Sequence, residues 1–178
     1  MKTVILILQA VLVSQLAMAS NYGVGGGVRT DSASSNTSGT NIGSSTNYMA
    51  GVIGQMDLVA QLQARAGFFY TQRSYQFNPL GGAQGAANFT YLDVPLGLLW
   101  KLSDYGGPFI GANFALNVSA SCPGTCTGVS SMPMGWQLGA QFKFAPEWGA
   151  ALYYESMSVV MTGIDQPKAI AAQLFYMY

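Results

Sequence analysis

Between Tyr91 and Lys101 every second residue is apolar: Leu92, Val94, Leu96, Leu98 and Trp100. The residues in between, Tyr91, Asp93, Pro95, Gly97, Leu99 and Lys101, include both signs of charge. Neighbouring side chains of a strand point to opposite faces, so a period of two gives one greasy face and one mixed face. A helix would scatter the same residues around its circumference. Rows of this kind recur along the chain and restrict it to an all-β architecture.

Composition decides which face looks where. Charged residues make up 8% of the chain, against roughly a quarter in ordinary soluble domains. Seven basic residues balance seven acidic ones, which excludes a basic surface for nucleic acid. So few charges cannot clothe a water-facing exterior. The pattern therefore predicts apolar rows turned out into lipid and mixed rows lining a narrow interior.

The first nineteen residues are expected to be a secretory leader. Lys2 is its positive start, Val4 to Val13 its short apolar stretch and Ala17-Met18-Ala19 its small-residue cleavage site. The apolar run is too short to cross a bilayer as a helix. Residues 20–178 then form one barrel domain.

Taken in order, the first strand spans Asn21 to Thr30, with Tyr22, Val24, Gly26 and Val28 outward. Its run Gly23 to Gly27 is read as barrel wall, because no helix follows to complete a phosphate-binding loop. Asp31 to Thr46, dominated by Ser, Thr, Asn and Gly, reads as a long external loop. A second strand follows over 47–55, a tight turn near Gln55-Met56-Asp57, and a third strand over Leu58 to Phe77 with Gln63, Arg65 and Arg73 on its mixed row. Asn78 to Asn88 is the next loop, and the fourth strand is the one described above. Strands five to eight fall at Pro108–Ser119, Met134–Phe144, from Trp148, and Lys168–Tyr178. Their connections are Ser103–Gly107, Ala120–Pro133, Ala145–Glu147 and Thr162–Pro167. Eight strands joined by alternating long and short connections predict an antiparallel up-and-down transmembrane β-barrel with its short turns in the periplasm.

The block Tyr91–Lys101 resembles the Y-L-[DE]-[IV]-P-L strand of small bacterial outer-membrane β-barrels, the porin-family or PorT-like group. Gly107–Ala112 and Gly135–Ala140 extend the likeness more loosely, while Gly97 and Trp100 stand where larger aliphatics are expected. The resemblance implies a barrel in the bacterial outer membrane and no particular chemistry. Leu174, Tyr176 and Tyr178 alternate to an aromatic last residue. This resembles the C-terminal signal read by barrel-insertion machinery, and implies that partner alongside outer-membrane lipids.

Candidate chemistry is sparse. The chain has no histidine, which excludes a Ser-His-Asp site and disfavours a metal centre. No cofactor is expected. Cys122 and Cys126 in an exported chain point to a disulfide stapling the third external loop. Arg29, Arg65, Arg73, Asp93, Lys101, Lys143 and Glu155 all fall on inward rows. Arg65, Asp93 and Glu155 are expected to meet in a lumenal salt-bridge network with Arg29 or Lys143, because an unpaired buried charge costs several kcal/mol. Tyr22, Tyr91, Trp100, Trp136, Trp148, Tyr176 and Tyr178 are the expected interfacial girdles. The function expected first is a monomeric, non-catalytic envelope scaffold presenting surface loops. A narrow porin-like channel and a soluble, lipocalin-like binding barrel are the alternatives.

Overall fold

The computed structural model describes residues 21–35, 40–79, 85–122 and 126–178. The expected leader lies outside the described residues. Among the described residues there are nine strands: β1 (Asn21–Ser35), β2 (Thr40–Gly43), β3 (Ser45–Val59), β4 (Leu62–Pro79), β5 (Gly85–Trp100), β6 (Gly106–Ser121), β7 (Met134–Lys143), β8 (Trp148–Met157) and β9 (Ile164–Met177). Only Ser44 separates β2 from β3, and both pair with β4, so together they make one stave of the wall. Every stave pairs antiparallel with its sequence neighbours, and β9 returns to β1 from Gly23↔Met177 to Ser35↔Ile164. The result is a closed eight-stranded barrel.

The strands run longer than the sequence pattern suggests. Asp31 to Ser35, expected in a loop, continues β1 as a ladder with β9, and 40–43 pairs with the top of β4. These serines and asparagines stay extended because the neighbouring backbone supplies their hydrogen bonds, with no need for apolar burial. The turn expected at Gln55–Asp57 lies instead at Ala60-Gln61, so Leu58 and Val59 finish β3 rather than open β4. The last strand likewise begins at Ile164, shifting the fourth outer connection from Thr162–Pro167 to Ser158–Gly163.

Face assignment follows the mixed-in, apolar-out arrangement. Arg29 is 2% exposed and Glu155 fully buried, whereas Leu174 is 56% and Ile110 58% exposed. Leu152, Leu138 and Ile170 share that exposed outer face. A soluble lipocalin-like barrel needs the opposite arrangement, so that alternative is set aside. Tyr22, Trp100, Trp136, Trp148 and Tyr178 are exposed as a girdle requires. Tyr91 is not part of it: its ring is fully buried in the lumen, as its parity with Asp93 dictates.

Inside, the side chains form three layers. On β8 the inward order is Ala151, Tyr153, Glu155, Met157; on β4 it is Phe69, Thr71, Arg73, Tyr75. Toward the short turns, Ile53, Phe69, Leu99, Phe109, Tyr153 and Phe175 pack as one apolar cluster. Toward the long connections, Tyr75, Phe89, Tyr91, Met157, Val160 and Ile164 pack as another. Arg29, Asp31, Arg73, Asp93 and Glu155 lie between. Such filling demands small partners for large rings. A Cβ on Gly149 would stand 2.3 Å from Phe175 Cζ, so only glycine admits that ring.

Candidate functional site

Among the described residues, the central layer gathers the largest group of buried charged side chains. Arg29, on β1, places Nη2 2.8 Å from both Asp31 Oδ1 and Glu155 Oε1, and Nη1 3.8 Å from Asp93 Oδ2. Arg73, on β4, reaches across with Nη2 2.6 Å from Asp93 Oδ2 and 3.2 Å from Glu155 Oε1. Neutral amides add to the shell, while Asp93 Oδ1 and Arg73 Nε and Nη1 have no hydrogen-bond partner among the described residues. Gln137 Nε2 and Asn113 Nδ2 donate to Glu155 Oε2 at 2.7 and 2.9 Å, and Asn47 Nδ2 donates to Asp31 Oδ2 at 2.8 Å. Arg73 also lies over the Tyr91 ring, 4.7 Å from its centroid.

Glu155 is the hub, accepting from two guanidinium groups and two amides that arise on β1, β4, β6 and β7. Taking these ions from water is expensive, and their mutual pairing offsets part of that cost. What the arrangement does physically is tie opposite walls of the barrel together. It holds no histidine to carry a proton.

Of the residues expected to meet there, Arg29, Asp93 and Glu155 are brought together. Arg65 and Lys143 are not. Arg65 lies one layer toward the short turns, where Nη2 donates to Gln173 Oε1 at 2.9 Å and the guanidinium sits 4.3 Å from the Phe109 centroid. Lys143 lines a pit of about 30 Å³ at the turn-side mouth, with Gln63, Lys101 and Gln141. There Lys101 Nζ pairs with Asp57 Oδ1 at 2.8 Å. Parity places all of these inward, but height along the barrel axis decides which can touch. Asp31 was missed because its segment read as loop, although its spacing of two from Arg29 was the available signal. Arg73, Asn113 and Gln137 share the inward parity of their strands, which by itself assigns them no partner.

The disulfide Cys122–Cys126 is present beyond the end of β6. Above the lumen, the connection Ser158–Gly163 folds inward, so that Val160 is fully buried. The Val160 carbonyl accepts the Ser130 N–H at 2.9 Å, and the Met161 sulfur contacts that of Cys122 at 3.7 Å. Gly128, at φ +64°, lets the two connections close up: a Cβ there would lie 2.0 Å from Thr162 Oγ1.

The family of outer membrane protein beta-barrel domains matches residues 13–156. The chain belongs to that family. Among curated proteins none matches. Ail, the attachment invasion locus protein of Yersinia pestis, solved in complex with the heparin analogue sucrose octasulfate, is similar with a TM-score of 0.54. It shares 13% identity over 90% of this chain and 100% of its own. OprG, an outer membrane protein of Pseudomonas aeruginosa, is similar with a TM-score of 0.53 and 14% identity over 90% of this chain and 97% of its own. At such identity the likeness is one of fold. As an outer-membrane β-barrel the protein sits in the bacterial outer membrane, with lipid around its apolar face.

Proposed function

We propose that this barrel is a non-catalytic, non-conducting, monomeric envelope scaffold that holds a neutral polar surface outside the cell. The carrying observation is the filled lumen: an ion network braced between two apolar clusters, with Val160 and Ile164 buried over the outer mouth. A pore that conducts needs a continuous wet path, and three stacked layers of packed side chains support the reading without one. Planar-bilayer recording of the purified barrel should therefore show no unitary steps. Reproducible steps under modest voltage would overturn the scaffold reading in favour of the narrow channel.

The surface on offer is hydroxyl- and amide-rich. β1, β4 and β5 extend toward the long-loop end and expose Ser32, Ser34, Gln72, Gln76 and Asn88. Of the seven basic residues, Arg29, Arg65 and Arg73 are buried and Lys101 and Lys143 lie at the turn side. Lys2 belongs to the expected leader, which leaves Lys168 as the remaining cation near the outer end. A polyanion such as the heparin analogue seen with Ail finds little counter-charge here, so contact with neutral polar partners is the better reading. Leader removal after Ala19 and recognition of Leu174, Tyr176 and Tyr178 by insertion machinery complete the proposal. The exposure of Leu174 and Tyr178 on the outer face supports it.

A further inference from the structure

The outer wall is not evenly covered. A groove of about 380 Å³ opens on the lipid face, lined by Tyr22, Gly23, Val24, Val52 and Tyr178. It follows β1 between β3 and β9, where Val24 pairs with Val52 on one side and Tyr176 on the other. Small residues neighbour it: Gly26 is opposite Ala50, and Gly54 stands between Tyr22 and Ala66. Elsewhere the same outward row carries Leu96, Leu98, Ile110, Leu138 and Leu152. At its turn-side end the rings of Tyr22 and Tyr178 stack at 5.5 Å, and the Tyr178 N–H donates to the Tyr22 carbonyl at 2.7 Å.

We propose that this groove seats one acyl chain of a phospholipid of the periplasmic leaflet, with its ester and head group at the level of Tyr22 and Tyr178. Within hydrocarbon there is no hydrophobic drive toward protein, so packing decides what lies against a wall. An unfilled hollow forfeits dispersion contacts along its whole lining. A polymethylene chain can follow the hollow, and the two phenols give it a polar end at the interface, where tyrosines prefer to sit. That layout, apolar along the shaft and polar at one end, matches an amphiphile better than the side chains of a second barrel. No basic residue is among the lining residues, so recognition goes through the acyl chain and not through pairing with the head-group phosphate.

The test uses the full chain reconstituted in vesicles of phosphatidylethanolamine and phosphatidylglycerol, then released into detergent for native mass spectrometry. The expected result is one phospholipid retained per barrel, with both head groups kept alike. Val52→Trp and, independently, Val24→Trp fill the hollow and should lower retention by about tenfold, equivalent to ~1.4 kcal/mol. Ile110→Trp on the far wall should leave it unchanged. A heat-dependent gel shift verifies that each variant is folded, and either folded groove variant suffices. Wild-type barrel without lipid, or folded groove variants that keep it, would overturn the proposal. So would a wild-type dimer that Val52→Trp dissolves, since the groove would then belong to a second copy.

Discussion

Two layers of the same lumen hold arginine in different ways. In the middle layer Arg29 and Arg73 face Asp31, Asp93 and Glu155 and are fixed by charge. Toward the short turns Arg65 is fixed by one amide oxygen and the face of Phe109, among rings. Both layers fill space, yet they respond differently to the loss of a group. Removing one member of an ion network strands the others in a medium that cannot solvate them. Removing a cation held by stacking leaves behind an amide and a ring, neither of which is charged.

The largest effect should come from breaking the hub. Glu155→Ala leaves the two guanidinium groups with Asp31 and Asp93 alone and deprives the Gln137 and Asn113 amides of their acceptor; it should cost about 3–5 kcal/mol, read as a lowered urea midpoint for the barrel in lipid. A change below the scatter of surface variants would mean that the central layer is not a brace. Next comes the ring layer itself. Gly149→Ala drives a methyl into Phe175, and overpacking of this sort costs ~1–3 kcal/mol; near-UV circular dichroism should show the ring displaced. Arg65→Met should be the smallest of the three, within about 1 kcal/mol of wild type or slightly stabilising, because a packed apolar side chain can replace a poorly compensated buried ion. If it destabilises as much as Glu155→Ala, the contrast between the layers fails and Arg65 belongs to the network after all.

Much of this was legible in the linear pattern, and the illegible part has a common cause. Parity told which residues face inward, so Gln137, Asn113 and Arg73 could be placed in the lumen from the sequence. Parity does not tell height. Whether Arg65 or Arg73 meets Asp93 depends on strand stagger, which backbone pairing sets and side-chain alternation does not record. The turn at Ala60-Gln61 escaped for a related reason. Inward residues are odd-numbered on both sides of it, Ile53 and Gln55 before and Gln63 and Arg65 after, so the alternation runs straight through the reversal. The extension of β1 through Ser35 was hidden by composition, because a strand rising into water keeps its ladder without an apolar face.

The ladder joining β1 to β9 carries one more consequence, for assembly. β1 is made first and its second edge has no partner other than the strand made last. Through the whole interval between them, a nascent sheet displays two raw margins of unsatisfied amides and carbonyls, open to any other extended segment nearby. Closure is therefore a single late event, and a lesion confined to β9 should leave the other seven of the eight staves built and none of the wall sealed, a state for proteases rather than a weaker barrel.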